Sequence, residues 1–221
     1  MIINPRVTRI EATLVEEFRH IDPATIGHLW HYGFMDPAIR PLYRRVRVVG
    51  PAVTLKIPAL DSTLCHKVLD IAEPGDVIVV DRCGDTRHAC WGEMVTLGAK
   101  MRGVAGAIID GAVTDVLEIE EMRFPVYART VSALTTKLLG IDGEINTPVQ
   151  CGGVTVMPGD LIVADDNGIV VIPPEQAATL LPVAKAKQEQ EGPVREKLRQ
   201  GIPLAQISGA EELVRQMENR S

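Results

Sequence analysis

WGEMVTLGAKMRGVAGAIIDGAVTD, residues 91–115, decides the fold. Met94, Val95, Leu97, Gly98 and Met101 recur at helical spacing, so the first half predicts a helix. GVAGAIIDG, residues 103–111, is a short apolar run, the pattern of a buried strand that ends in Asp110-Gly111. Helix followed by strand and loop is a unit of an α/β layered domain.

Upstream, VRVVG (46–50), PAVTLKI (51–57) and DVIVVD (76–81) are β-branched runs, with a helical stretch, STLCHKVLDIA (62–72), before the last of them. Downstream come a short acidic helix, DVLEIEEM (115–122), and a strand, FPVYART (124–130). VQCGGVTVMPGDLIVADDNGIVVIP (149–173) has the short strands and Gly-Asp turns of an antiparallel segment, with a hairpin turn at Asp165-Asp166-Asn167-Gly168. Alternation in the middle and consecutive strands at the end predict a mixed sheet and not a uniform dinucleotide-binding fold. Residues 1–44 read as a helical arm, with Asp22-Pro23 as a helix start, and 45–174 as the α/β core. Residues 175–221 read as two solvent-facing helices, broken near Gly201 and available for contact with a neighbouring subunit.

A chain of 221 residues with 46% hydrophobic residues buries one substantial core. Its 23 basic and 29 acidic residues leave no broad basic field for a phosphate backbone, and 4% aromatics offers little base stacking, so nucleic acid is excluded as a first expectation. Neither G-x-G-x-x-G nor a P-loop occurs. Cys65, Cys83, Cys90 and Cys151 form no C-x-x-C pair, and His20, His28, His31 and His66 have no ligand spacing, so packed thiols and ordinary histidines are expected. Cys90 beside Trp91 reads as a small hydrophobe, not a nucleophile activated by His88. With no leader pattern and no run of about 18 apolar residues, the expectation is a cytoplasmic protein with no membrane contact.

The chemistry concentrates at residues 84–115. Backbone N–H groups of Gly92, Glu93, Met94 and Val95 open a helix and can hold a small carboxylate. Asp115, past the carboxyl end of a strand, stands where α/β proteins place ligands, and its oxygens suit a hard cation such as Mg2+ or Mn2+. An Asp in this position more often caps the next helix, and both readings stay open. Asp110-Gly111 reads as a turn.

Taken together, GPAVTL, PGDVIVVD, residues 91–115, FPVYART, GEINTPVQCGG and MPGDLIVADDNGIVVIP, in that order, resemble the class II aldolases for 4-hydroxy-4-methyl-2-oxoglutarate and 4-carboxy-4-hydroxy-2-oxoadipate, and the related regulators of ribonuclease E activity. The resemblance implies an α/β/β/α sandwich with a mixed sheet, of the swivelling phosphohistidine-domain type, assembled as a homotrimer or hexamer. It implies a metal-dependent lyase for a small 2-keto acid, by retro-aldol cleavage of a 4-hydroxy-2-oxo diacid to pyruvate, oxaloacetate decarboxylation, or both. In the family, an acidic residue, twenty positions and Arg-Asp carry the site; here these are Glu93, Thr114 and Asp115. The resemblance makes Asp115 the metal ligand, Gly92, Glu93, Met94 and Val95 the cradle for the pyruvyl carboxylate, Glu93 the base, and Glu191, with Glu189 as second choice, the glutamate lent by a neighbouring subunit to the metal's water shell. Thr114 replaces the arginine that would hold substrate charge. Arg87 or Arg129 then becomes the substitute cation, or the protein is a lyase or hydratase for another substrate, or a non-catalytic regulator.

Overall fold

In a computed structural model, which describes residues 1–7, 10–58 and 60–220, the chain runs β1 (Ile2–Ile3), α1 (Ala12–Phe18), α2 (Pro23–Gly27), β2 (Arg40–Pro41), β3 (Val48–Lys56), α3 (Thr63–Lys67), β4 (Val77–Asp81), α4 (Glu93–Met101), β5 (Gly106–Val113), α5 (Val116–Glu121) and β6 (Val126–Val131). It continues through β7 (Glu144–Ile145), β8 (Val149–Cys151), β9 (Val154–Val156), β10 (Leu161–Asp165), β11 (Gly168–Ile172), α6 (Pro174–Glu189), α7 (Glu191–Arg199), α8 (Leu204–Ser208) and α9 (Ala210–Glu218).

The runs in β3, β4 and β5 have no polar face, which a strand tolerates only where both sides of its sheet are covered. Strands β3, β4, β5 and β6 lie parallel in that order, and β2 closes the β6 edge antiparallel. Alternate residues then divide between two cores. Ile78, Val80 and Ile109 face α3, α4 and α5 through Leu64, Cys65, Val95, Ala99 and Ile119. Val77, Val79, Ile108 and Tyr127 face the second sheet through Cys151, Val156, Ile162, Ala164 and Val171. The other side of that second sheet, with Leu161, Val163, Val170 and Ile172, meets Phe18, Ile26, Ala177 and Ala184 of α1, α2 and α6. Three cores between four layers make an α/β/β/α sandwich. Each fully buried aliphatic side chain contributes about 1.5–3 kcal/mol.

β3 joins the two sheets. Ala52–Lys56 pairs in parallel with β4, and Val48–Pro51 pairs antiparallel with β10. The hairpin expected at 165–168 is present, with Asp165 paired to Gly168 between β10 and β11.

Three expectations need correction. Among its described residues the segment 1–44 is helical only in α1 and α2: β1 adds in parallel to β7, and β2 adds to β6, so this segment is stitched into the main sheet at both edges. Asp110-Gly111 is not a turn, because β5 runs on to Val113 with Asp110 paired to Asp81. A register shift between Ile109 and Ala112 absorbs the irregularity, and Gly111 is small because a Cβ there would stand 2.8 Å from the Asp85 carbonyl. The C-terminal region holds four helices and not two. Pro193 has no N–H for the Glu189 carbonyl, which separates α7 from α6, and Gly209 at φ +80° separates α8 from α9. α6 is not solvent-facing, since Ala177 and Ala184, two turns apart, are buried, whereas α7, α8 and α9 bury nothing. Among the described residues no helix is long and apolar enough to cross a membrane.

Candidate active site at the start of α4

Trp91 fixes the local backbone. Its ring is fully buried and its Nε1 donates to Thr96 Oγ1 at 2.8 Å, tying the residue before the helix to the first turn of α4. Trp91 also extends the parallel sheet by bridging Val113, and its carbonyl accepts the Thr114 N–H at 2.9 Å. The start of α4 and the end of β5 are therefore held side by side. Cys90 is buried here as a small hydrophobe, as expected, and Cys65 and Cys151 are buried too, whereas Cys83 is exposed.

Asp115 occupies the N-cap position of α5 but makes no side-chain cap there. Its backbone is left-handed, at φ +54° and ψ 45°, a region that Asp and Asn visit more readily than other residues with a side chain. The carboxylate turns instead to α4: Oδ2 accepts the Glu93 N–H at 2.8 Å, and Oδ1 accepts the Thr114 hydroxyl at 3.1 Å. The capping alternative thus fails for α5, and the carboxylate satisfies one of the open amides of the neighbouring helix, where the helix dipole favours negative charge. Gly92 makes this approach possible. A Cβ there would sit far inside van der Waals contact with Asp115 Oδ2 and 2.8 Å from Thr114 Cγ2.

The geometry brings Gly92, Glu93, Thr114 and Asp115 together. Of the expected carboxylate cradle, the Glu93 amide is taken by Asp115, and those of Met94 and Val95 remain open in the first turn, with no partner among the described residues. Thr114 is half-buried and its hydroxyl is directed to Asp115. Glu191 is not brought to this site: it opens α7, ion-paired with Arg195, and among the described residues no three His, Cys, Asp or Glu side chains cluster as a metal site. Glu189, at the end of α6, fares no better within one chain.

As a metal centre, the chain supplies one carboxylate whose two oxygens each keep a lone pair beyond the bonds described. That suits Mg2+ or Mn2+, which retain several waters and need one or two carboxylates, and does not suit an ion that demands an all-protein cage.

Neither substitute cation behaves alike. Arg129 is committed, with Nε 2.6 Å from Asp110 Oδ1 and a terminal nitrogen 2.7 Å from Asp36, and these two hydrogen-bonded carboxylates push its ionisation up. Asp110 is completed by the Gly152 N–H at 2.7 Å. Arg87 lies exposed on the turn before Trp91 and forms no ion pair among the described residues.

The same turn carries a pair that sequence reasoning missed. Asp85 Oδ2 is 2.7 Å from His88 Nδ1, and Oδ1 accepts the N–H groups of Arg87 at 2.8 Å and His88 at 3.2 Å. Burial acts to raise the Asp85 carboxyl, yet these donors, with buried Arg82 3.4 Å away, hold it below its ordinary value. The available signal was the Asp-x-x-His spacing after Gly84, the pattern of a side chain closing its own turn. The pair stiffens the approach to Trp91.

Residues 22–171 match the family model RraA-like, described as Aldolase/RraA. A protein of Halalkalibacterium halodurans named "Putative 4-hydroxy-4-methyl-2-oxoglutarate aldolase" is 38% identical over 183 residues, covering 82% of this chain and 87% of its own. An uncharacterised Pseudomonas syringae protein superposes with TM-score 0.79 at 27% identity, over 92% of this chain and 96% of the other. Streptomyces coelicolor RraAS2, described as an unusual member of the RNase ES inhibitor RraA family, superposes with TM-score 0.75 at 28% identity, over 86% and 100%. By the extent of the family match and the identity to its relatives, the chain belongs to the RraA-like, Aldolase/RraA family.

Proposed function

We propose that this protein is a divalent-metal-dependent carbon–carbon lyase acting on a small 2-keto acid, by retro-aldol cleavage of a 4-hydroxy-2-oxo diacid to pyruvate, by oxaloacetate decarboxylation, or both. The observation that carries this reading is the Asp115 carboxylate laid across the start of α4 over a residue without a side chain. Asp115 would hold Mg2+ or Mn2+, with Glu93 beside it as the second acidic group of the site. When bound, the ion stabilises negative charge developing on the 2-keto oxygen. The open amides of Met94 and Val95 bind the 1-carboxylate and fix the keto group toward Asp115. Glu93 takes the proton of the 4-hydroxyl, the C3–C4 bond breaks to leave a carbonyl at C4, and C3 is protonated to give pyruvate. Glu191, remote from Asp115 within one chain, serves a second copy in a trimer or hexamer.

The test is pyruvate release from oxaloacetate and from 4-hydroxy-2-oxo diacids, coupled to lactate dehydrogenase, with EDTA and then excess Mg2+. Activity abolished by chelation and restored by the ion supports the reading. Absence of turnover with every substrate, or turnover indifferent to EDTA, overturns it.

A specific observation favours a second reading. The Thr114 hydroxyl is engaged by Asp115 and brings no charge, so the substrate's distal carboxylate lacks its guanidinium partner. A non-catalytic binding protein of the RraA type, or a lyase or hydratase for a substrate without that carboxylate, fits such a site. Co-purification with a ribonuclease and no bound metal by elemental analysis favour the binding protein.

A further inference from the structure

The charge pattern of the surface singles out another site. Arginines in this chain are mostly answered by carboxylates: Arg6 by Asp76, Arg19 by Glu16, Arg47 by Asp22, Arg129 by Asp36 and Asp110, Arg199 by Glu196 and Arg215 by Glu211. Arg87, Arg102 and Arg220 stand singly without an ion pair among the described residues, whereas around β2 several such arginines gather. Arg40, Arg44, Arg45 and Arg123 form no ion pair among the described residues, although acidic residues outnumber basic ones by 29 to 23 in the chain. Arg40 only donates from Nε to the Pro37 carbonyl at 3.0 Å, and Arg123 stacks 5.6 Å from the centre of the Tyr43 ring.

Arg40 and Arg44 of this group line a cavity of about 320 Å3, together with Pro41, Leu42, Tyr43 and Asp166. Asp166 does not neutralise the arginine side chains. Its oxygens are occupied by the backbone N–H groups of Arg45, at 3.0 and 2.9 Å, and of Val46, at 3.4 Å. That arrangement fixes the Arg45 backbone, left-handed at φ +63°. Two guanidinium groups without carboxylate partners on the lining of one pocket are an arrangement that a ligand with several acceptor oxygens satisfies.

We propose that this pocket binds a small multivalent oxyanion, held by Arg40 and Arg44, at a site distinct from Asp115. Two guanidinium forks suit the paired oxygens of a phosphate or of a polycarboxylate, and Tyr43 gives part of the wall. The pocket shares no residue with Gly92, Glu93, Thr114 or Asp115, so the two sites are built from different parts of the chain. This inference does not rest on the lyase reading.

Calorimetric titration of the full chain at constant ionic strength tests it, with inorganic pyrophosphate and citrate as probes. Saturable one-to-one binding is expected, weakened about tenfold or more by Arg44→Ala and by Arg40→Ala, and unchanged by Arg199→Ala, whose guanidinium is exposed and paired elsewhere. Stronger pyrophosphate binding assigns a phosphate ligand, and stronger citrate binding a polycarboxylate. Failure of both probes to saturate, or equal weakening by Arg199→Ala, overturns the proposal. So does a loss of oligomer on Arg44→Ala without anion binding, which assigns the arginines to contact between copies of the chain.

Discussion

Replacing Gly92 by alanine puts a methyl group where Asp115 lies, and the structure sets the cost. The added Cβ would overlap Asp115 Oδ2 and stand 2.8 Å from Thr114 Cγ2, so both side chains must move. Asp115 then loses the 2.8 Å bond from the Glu93 N–H, and the overpacking costs about 1–3 kcal/mol. Asp115 is exposed and can swing outward, which places the destabilisation near the lower end, about 1 kcal/mol, in urea unfolding. Turnover suffers more than stability, because the displaced carboxylate is the proposed metal ligand. Combining Gly92→Ala with Asp115→Ala isolates the contact. If the two residues meet as described, the double variant is less destabilised than the sum of the single ones by about 0.5–2 kcal/mol. A Gly92→Ala protein with native stability and native turnover, or an additive cycle, refutes the packing of Asp115 onto Gly92.

Thr114→Arg restores the charge that the diacid substrate needs, and the expected gain in kcat/KM on a 4-hydroxy-2-oxo diacid is about thirtyfold or more, equivalent to about 2 kcal/mol; coupled pyruvate assays decide it. Asp115→Asn keeps the Thr114 contact but not the charge, and is expected to abolish Mg2+ binding by titration calorimetry while the melting temperature shifts by only a few degrees, since the residue is exposed. Asp61 is a staple and not a site: burial acts to raise its carboxyl, but the Thr63 hydroxyl at 2.5 Å and the N–H groups of Thr63, Ile141 and Leu139 at 2.8, 2.6 and 3.2 Å hold it far below the ordinary range. Because its ionisation is depressed by folding, its stabilisation is complete above about pH 4 and is lost as the pH falls from there. Asp61→Asn is expected to cost about 2–3 kcal/mol at pH 7 and to flatten the acid limb of the stability profile measured by urea unfolding.

Much of the layer order was legible because burial on both faces writes itself as uninterrupted β-branched runs. Residues 77–81 carry no polar position before Asp81, and only a sheet covered on each side tolerates that. The division of β3 between two sheets left no such mark, since parallel and antiparallel neighbours ask for the same apolar residues. The turn expected at Asp110-Gly111 failed for a different reason. Dipeptide preference describes a local backbone, and here Arg129 and the Gly152 N–H, both far along the chain, keep Asp110 in the strand. The helical spacing of 94–101 located α4 correctly. The direction of the Asp115 side chain was beyond reach, because an Asp before a helix predicts capping of that helix and the left-handed backbone that turns it to α4 depends on contacts 22 residues away.

The position of Thr114 then has a physical consequence. An arginine at 114 would bring a cation beside Asp115, favouring anionic substrate and opposing a divalent metal. Threonine keeps the positional part of the task, a donor 3.1 Å from Oδ1, and removes the charge. Arg129 does not restore it, being held by two carboxylates of its own, and the exposed Arg87 side chain forms no ion pair among the described residues to fix it near the site. Under the proposed lyase reading, the balance at Asp115 therefore shifts toward the cation and away from a second substrate carboxylate, so an anionic substrate would depend on the open amides of α4 and on the metal. On that same proposed reading, oxaloacetate decarboxylation, which requires one carboxylate to be gripped while the other leaves, would lose less from this exchange than retro-aldol cleavage of a larger diacid.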